Sequence, residues 1–247
     1  MTGDLKTVIW KERKLLFNQR GGKKQVVFTL LVPAAVFSIL FPWQEGIGFL
    51  DSPLPVFAAI FIPMLITGLT VPESFAGERE RHTLETLLAS RLSDSDLLVG
   101  KLIISVALAW IVTLISFLVS FIVANATDWS GQLIFYTPLI TAASLILSLL
   151  VAVLSSATGV IISLRASTVR EAQQTLMATI MFPVLLLGVA GTVVFTIEGI
   201  RDQITKIMDS INPFVLVSVV TIVLIIACYF LMRAAMRRFQ RDRLILG

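Results

Sequence analysis

A dense group of ionisable side chains interrupts the apolar sequence between residues 77 and 101, which read GERERHTLETLLASRLSDSDLLVGK. Within it Glu78, His82 and Glu85 stand at positions i, i+4 and i+7, a spacing at which helical side chains share one face and could approach a metal ion. One histidine that follows Arg79 and Arg81 closely is a poor zinc ligand set, so we predict no metal site. Proteolysis within a membrane would need such groups at membrane depth, whereas these lie in a polar segment, so we predict no catalytic residue either.

The chain as a whole has the composition of a membrane protein. Of its 247 residues, 56% are hydrophobic and 15% are charged, and the mean hydropathy is +0.91. A helix needs roughly 20 apolar residues to cross a hydrocarbon core about 30 Å thick. We therefore predict one all-α, polytopic domain over residues 1–247, with six transmembrane helices at 26–43, 55–72, 102–124, 143–164, 175–196 and 213–232.

Basic residues are distributed unevenly among the segments between these spans. If the N-terminus is cytoplasmic, 18 of the 20 Lys and Arg residues lie inside, and only Arg201 and Lys206 lie outside. This bias predicts a multi-pass protein of the cell membrane with both termini in the cytoplasm, and it places the segment 73–101 inside. Membrane lipid accounts for the basic inner face, so we predict no nucleic-acid partner.

Shorter elements flank the predicted spans. Apolar residues at helical spacing within residues 1–25 predict an amphipathic helix that lies in the cytoplasmic interface. Glu12 falls in the apolar sector of this helix, where a lone carboxylate is costly, so we expect a basic partner from another segment. Isoleucines at helical spacing predict a short external helix within 197–212, before the sixth span, and residues 233–247 form a basic cytoplasmic tail.

The fourth predicted span carries a small residue at every fourth position, namely Ser144, Ser148, Ala152 and Ser156. Small residues on one helix face allow another helix to approach closely. The pattern indicates a packing face, either within the chain or between two subunits.

The six predicted spans contain no Asp, Glu, Lys, Arg or His. Carriers that couple transport to a proton or ion gradient usually place such a group within the bilayer. The pattern therefore disfavours an ion-coupled carrier, and we expect any transport to draw its energy from outside the spans.

The charged segment predicts a helix, a corner and a second helix. Residues 78–88 are good helix formers, and Gly77 is interpreted as a hinge after the second span, although Pro72 alone could end that span. Ser93 followed by Asp96 has the spacing of a capping box, which predicts a new helix that runs into the third span.

This segment resembles the cytoplasmic signature of the type 2 ABC export permeases, the group with the type V exporter fold. That signature reads roughly GE+E.GTLE.LL.SP.S......GK, and the matching residues here begin at Gly77 and end at Gly100-Lys101. His82 replaces the usual glycine before the threonine, and Arg91 replaces the usual proline after the serine. The resemblance extends to the N-terminal helix and to the six spans.

The resemblance implies that residues 73–101 contain a coupling helix that docks on a separate ATPase subunit. The docking residues, by matching position, would be Glu78, Arg79, Glu80, Thr83, Glu85, Leu87, Leu88 and Ser90, with Arg91 and Asp94 at the edge. It implies a second permease subunit, identical or homologous, a prokaryotic cell, and export of substrate from the cytoplasmic side or the inner leaflet. ATP and Mg would be bound by the partner, since this chain has no GxxxxGK[ST] phosphate loop and no cofactor of its own.

Two other functions stay open at this point. One is an ion-coupled carrier or channel that works without an ATPase, and the other is a membrane anchor or sensor for the same ATPase. The sequence does not identify the substrate or the residues that bind it.

Overall fold

The computed structural model describes residues 7–12, 14, 32–83, 93–129, 131–196 and 212–239. These residues form helices joined by short connections, and none of them lies in a β-strand. Nearly all of the predicted external helix (197–212), the end of the basic tail (240–247) and the segment 84–92 lie outside the described residues.

Residues 7–12 are helical, and we refer to them as the N-terminal helical segment. A second helical stretch begins at residue 32, passes through a π-helical turn (Val36–Leu40) and continues as α1 (Phe41–Glu45), and a short helix α2 (Gly48–Asp51) follows. The long helices described after these are α3 (Leu54–Glu80), α4 (Asp94–Thr127), α5 (Pro138–Ser163), α6 (Val169–Thr196) and α7 (Pro213–Arg238).

Among the residues that the structure describes, α3, α4, α5 and α7 are long and apolar enough to cross a membrane. Their outer faces carry large apolar side chains, such as Leu118 on α4 and Phe230 on α7, whose exposure to water would be unfavourable. The chain is therefore a multi-pass membrane protein. With 34 residues, α4 is about 51 Å long, so it extends beyond a hydrocarbon core of about 30 Å.

The interior of the bundle is organised around α3. This helix packs most extensively against α5 and also contacts α4 and α6, while α7 packs against α5. Polar contacts link the helices where they touch: the hydroxyls of Thr67 on α3 and Ser155 on α5 are 2.6 Å apart. Hydroxyl pairs of this kind stabilise contacts between helices within a bilayer.

The face of small residues on α5 is buried inside this chain. Ser144, Ser148, Ala152 and Ser156 are each at most 1% exposed. At these four positions other parts of the same chain cover the helix face, and the choice between a packing face and a subunit interface stays a prediction.

Two local predictions were wrong. Helix α3 does not end at Pro72 or Gly77 but continues as an α-helix to Glu80. A proline removes one backbone N–H, and within a packed membrane helix the loss of one hydrogen bond is tolerated. The helix predicted over 78–88 is interrupted after residue 80, because Arg81, His82 and Thr83 leave the helix and form a turn.

Helix α5 comes very close to α3 and α6 at Gly159. A Cβ atom on this residue would lie 2.9 Å from Cγ1 of Val71 and 3.1 Å from Cδ2 of Leu176. Val71 is β-branched and fully buried, so its methyl group has little freedom to move away.

We expect Gly159→Ala to destabilise the protein, because insertion of a methyl group into a packed core costs about 1–3 kcal/mol. This cost outweighs the gain of up to about 1 kcal/mol from replacing a helical glycine. Thermal unfolding of the detergent-solubilised protein measures the difference. Gly48→Ala is the matched control, since a Cβ on helical Gly48 meets no atom within 4 Å.

If the collision with Val71 is the cause, Val71→Ala combined with Gly159→Ala will cost less than the sum of the two separate losses. Strictly additive losses would show that the close approach at Gly159 is not what limits stability.

Candidate functional site

The candidate site is the end of the bundle where α3 leads into the charged segment and α4 leaves it. We call the last residues of α3 and the first residues of α4 (73–80 and 94–101) the stem of this segment. Of the predicted docking residues, Glu78, Arg79, Glu80, Thr83 and Asp94 are described. The others lie outside the described residues, namely Glu85, Leu87, Leu88, Ser90 and Arg91.

Helix α3 ends in a Schellman motif. The backbone N–H of Thr83 donates to the carbonyl of Glu78 at 2.9 Å, and the N–H of His82 donates to the carbonyl of Arg79 at 3.0 Å. These two hydrogen bonds satisfy carbonyls that the helix end leaves free. The motif requires a left-handed residue at its turn, and here that residue is His82, with φ of 54°. The signature that the sequence resembles has glycine at this position, where glycine has no steric penalty.

Helix α4 begins as the capping pattern predicts. The hydroxyl oxygen of Ser93 accepts a hydrogen bond of 3.1 Å from the backbone N–H of Asp96, so Ser93 is the N-cap. The first turn also carries Asp94 and Asp96, whose negative charges are favourable at a helix N-terminus. The predicted start of a helix directly after Ser93 is thereby confirmed.

Between the two helices of the stem lies a buried cluster of charged side chains, formed by Lys11, Glu12, Glu78 and Lys101 with the hydroxyl of Ser74. At its centre the ammonium Nζ of Lys101 lies 3.0 Å from Oε1 of Glu12 and 2.9 Å from Oε2 of Glu78. The Lys101 side chain is 0% exposed, and the two carboxylates are 5% and 10% exposed. We refer to this set as the Lys101 cluster.

The hydrogen bonds of Lys101 are directed at α3. Its Nζ donates to the carbonyl of Ser74 at 2.8 Å and to the Ser74 hydroxyl at 3.2 Å, and it lies 5.2 Å from the centre of the Phe75 ring. The Ser74 hydroxyl in turn donates to Oε2 of Glu12 at 3.0 Å. The facing oxygens of Glu12 and Glu78 contact the ammonium as ion pairs rather than as directed hydrogen bonds.

The expectation that Glu12 has a basic partner from another segment is confirmed, and that partner is Lys101. Lys11 forms a further ion pair with Glu78 at 3.1 Å and is half-exposed. The cluster thus holds two positive and two negative charges. This balance matters because an unpaired charge in a buried place costs several kcal/mol, about 3–5 when one partner of a pair is removed.

An apolar core cluster adjoins the Lys101 cluster through Phe75, whose ring centre lies 5.2 Å from Nζ of Lys101. We call this core cluster the apolar layer. It combines residues from the N-terminal helical segment and from α3, α4, α5 and the end of α7: Val8, Val71, Phe75, Leu97, Leu98, Leu102, Val160, Ala235 and Phe239. The rings of Phe75 and Phe239 meet edge to face with centres 5.8 Å apart. Five parts of the described chain therefore contribute to the apolar layer next to these charges.

The two charged residues after Glu78 contact the ends of two other helices. The guanidinium of Arg79 donates to the carbonyl of Leu164 at 2.9 Å and, more weakly, to that of Ala166 at 3.4 Å, just beyond α5. A carboxylate oxygen of Glu80 accepts from the backbone N–H of Val169 at 3.0 Å, at the start of α6. A cation at a helix C-terminus and an anion at a helix N-terminus both stabilise the helix dipole.

The start of α6 has its own cap next to Glu80. The hydroxyl of Thr168 accepts from the N–H of Glu171, while the Glu171 carboxylate accepts from the N–H and the hydroxyl of Ser167 at 2.8 and 2.6 Å. These hydrogen bonds from Ser167 lower the pKa of the Glu171 carboxyl. The connection between α5 and α6 is thus fixed on both sides, by Arg79 and Glu80 from α3 and by its own caps.

The sequence did not reveal these inward roles. We predicted Glu78 as a docking residue, but the structure places its carboxylate inside the Lys101 cluster, whereas Arg79, Glu80 and Thr83 are exposed. Lys101 was noted only as the end of a signature. The one available signal was Glu12, whose position in an apolar sector required a buried cation somewhere else in the chain.

The charged groups described at the site join helices to one another. Lys101 pairs with Glu12 and Glu78, and Arg79 and Glu80 contact the ends of α5 and α6. In the part of the chain that the structure describes, no group of three His, Cys, Asp or Glu residues could hold a metal ion. The contacts link the base of the segment between α3 and α4 to the rest of the bundle.

Comparison with known proteins gives one family. A model of the family described as ABC-2 family transporter protein matches residues 51–236, which covers α3 to α6, all but the last two residues of α7, and the stem. No protein of curated function matches the chain.

We expect His82→Gly to stabilise the protein by about 0.5–1 kcal/mol. A residue with a Cβ pays about 1–2 kcal/mol in the left-handed region, and the greater freedom of glycine in the unfolded chain offsets part of the gain. His82→Ala is the control, because it removes the imidazole but keeps the Cβ. Thermal unfolding in detergent tests both variants, and equal effects of the two would show that the φ of His82 is not strained.

Proposed function

Because the chain belongs to the ABC-2 family of transporter proteins, we propose that it is the membrane-spanning permease subunit of an ATP-driven exporter. A separate ATPase subunit docks on the segment between α3 and α4. Six transmembrane helices cross the cell membrane, with both termini and this segment in the cytoplasm. Substrate leaves the cytoplasmic side or the inner leaflet along a path between two permease subunits, identical or homologous.

The observation that carries this proposal is the construction of the stem. A segment that receives force from a soluble partner has to be borne on helices that do not yield separately. Here Lys101 joins α4 to α3 through the Ser74 carbonyl and Glu78, while Arg79 and Glu80 join the end of α3 to α5 and α6. A simple solvated loop has no need of this many fixed contacts at its base.

The docking surface consists of the residues that the resemblance implies, apart from Glu78. Glu78 supports the surface from within, since its carboxylate is occupied by Lys101 and Lys11. The contact itself falls on exposed Arg79, Glu80 and Thr83 and extends to Asp94, with Glu85, Leu87, Leu88, Ser90 and Arg91 between them. Apolar residues among mixed charges match the composition of interfaces between soluble proteins.

The energy for transport comes from the partner in this proposal. The sequence has no phosphate-binding loop, because Gly100-Lys101 is followed by leucine and lacks the earlier glycine. The lysine of this pair is engaged elsewhere, since Lys101 is buried among carboxylates and is inaccessible to a phosphate. ATP and Mg are accordingly assigned to the ATPase subunit.

We expect Leu87→Glu and Glu85→Lys to lower the affinity for the ATPase subunit by about tenfold or more, as substitutions at the centre of an interface do. We expect ATP-driven transport in liposomes to fall together with this affinity. Co-purification and titration of the two subunits measure binding. Arg170→Ala is the control, because Arg170 is an exposed cation at the start of α6 outside the proposed surface.

Unchanged binding and transport in both variants would contradict docking at this segment. Flux by the permease alone, driven by an ion gradient and independent of ATP, would instead favour the carrier. Copurification of the wild-type pair without any flux would favour the anchor.

The orientation of the chain makes a separate prediction. In a Cys228→Ser background, a cysteine at Gln132 is expected to react with a membrane-impermeant maleimide on intact cells. A cysteine at Thr83 is expected to react only after the membrane is opened. Both positions are exposed, and serine retains a hydroxyl for the contact that the Cys228 thiol makes with the carbonyl of Leu150. The opposite labelling pattern would reverse the orientation.

A further inference from the structure

The Lys101 cluster lies where force would enter the membrane domain. Lys101 is seven positions after Asp94, about two turns into α4, and it contacts α3 at Ser74 and Glu78, which lie in the last two turns of that helix. Its contacts therefore cross the stem at some distance from the turn at residues 81–83. These contacts are noncovalent, and we refer to them as a cross-link between α3 and α4. A cross-link at this place decides whether the two helices of the stem move together or separately.

Without the cross-link, a push on the segment between α3 and α4 could spread the stem. Each helix would then bend on its own, and the displacement would be lost before it reached the bilayer. With Lys101 in place, the helices share a carbonyl hydrogen bond and an ion pair across the stem. The displacement then becomes a common tilt of α3 and α4.

The same lysine brings in the N-terminal helical segment as a third component. Glu12 pairs with Lys101 and accepts from Ser74, and Lys11 pairs with Glu78, so charged contacts from this segment reach both helices of the stem. Val8 adds an apolar contact in the adjoining apolar layer. The sequence distance is large, because residue 12 precedes Ser74 by 62 positions.

We propose that Lys101 is a positioning residue for coupled transport, and that it holds the N-terminal helical segment, α3 and α4 together as one body that moves when the ATPase subunit moves. This inference rests on the proposed function. It adds to that function a residue that touches neither the ATPase surface nor the substrate, and it gives the N-terminal helical segment a part in transmission.

Stability alone does not require charged side chains at this place. A buried set of ion pairs replaced by apolar side chains of similar volume is often as stable or more stable. Apolar side chains pack without fixed direction, whereas the ammonium of Lys101 contacts four polar atoms and one aromatic ring on two other segments, the N-terminal helical segment and α3. These contacts fix the position of both segments relative to α4.

The test separates charge balance from positioning. Lys101→Met leaves two glutamates against one lysine, and we expect lower expression of a folded protein. Lys101→Met with Glu12→Gln restores the balance, because the pair of Lys11 and Glu78 remains and the amide of residue 12 can still accept from Ser74. We expect this double variant to recover its abundance and to bind the ATPase subunit as the wild type does.

The double variant is nevertheless expected to transport less substrate per ATP hydrolysed, by about two- to thirtyfold, the range found for residues that carry coupling between sites. Lys14→Met is the matched control, since Lys14 is an exposed lysine that contacts Trp10 and takes no part in the cluster. If the double variant transports as much substrate per ATP hydrolysed as the wild type does, the proposal is overturned, and Lys101 serves charge balance alone.

A second measurement needs no ATPase. Amide hydrogen exchange on the purified permease is expected to quicken in the double variant at residues 7–12 and at the first two turns of α4, because these segments lose their shared contact. Exchange unchanged from the wild type would also overturn the proposal. If the wild type binds no ATPase subunit, the proposed function fails, while hydrogen exchange still decides whether Lys101 holds the three segments together.

Discussion

The arrangement of this end of the bundle depends on one constraint, the burial of an ammonium group. Lys101 has no exposed side-chain surface, and an isolated charge in such a place would be costly enough to unfold a marginal protein. Its neutralisation requires carboxylates from two different segments, Glu12 and Glu78. If the N-terminal helical segment or the end of α3 moved away, charged groups of the Lys101 cluster would lose their partners next to apolar side chains. This cost keeps the two segments together.

Three consecutive charged residues near the end of α3 contact three neighbouring parts of the bundle. Successive residues of a helix point about 100° apart, so Glu78, Arg79 and Glu80 face three directions from one turn. They contact α4, the end of α5 and the start of α6, respectively. Alternating charge is typical of a solvated surface, but in this geometry the three side chains form contacts between helices. The left-handed turn at His82 then ends α3 directly after the last of them.

The sequence was sufficient for the features that depend on local chemistry. Hydrophobic length predicted the long helices, the spacing of Ser93 and Asp96 predicted the start of α4, and the position of Glu12 required a distant cation. It was insufficient where tertiary contacts decide. Pro72 and Gly77 mark a helix end by local rules, but packing against α5 and α6 carries α3 through both. The inward direction of Glu78 depends on Lys101, 23 positions away, which no periodicity reveals.

A conformational change that starts beyond α3 has few ways to enter the membrane domain. Movement of α3 relative to α5 is opposed by close contact at Gly159 and by the hydroxyl pair of Thr67 and Ser155. Movement of α3 relative to α4 is opposed by the Lys101 cluster, where separation would leave charges unpaired next to the apolar layer. Helix α7 packs against α5 and leaves most of its apolar surface exposed. The close contact at Gly159, the hydroxyl pair and the Lys101 cluster therefore couple any displacement of α3 to α5 and to α4.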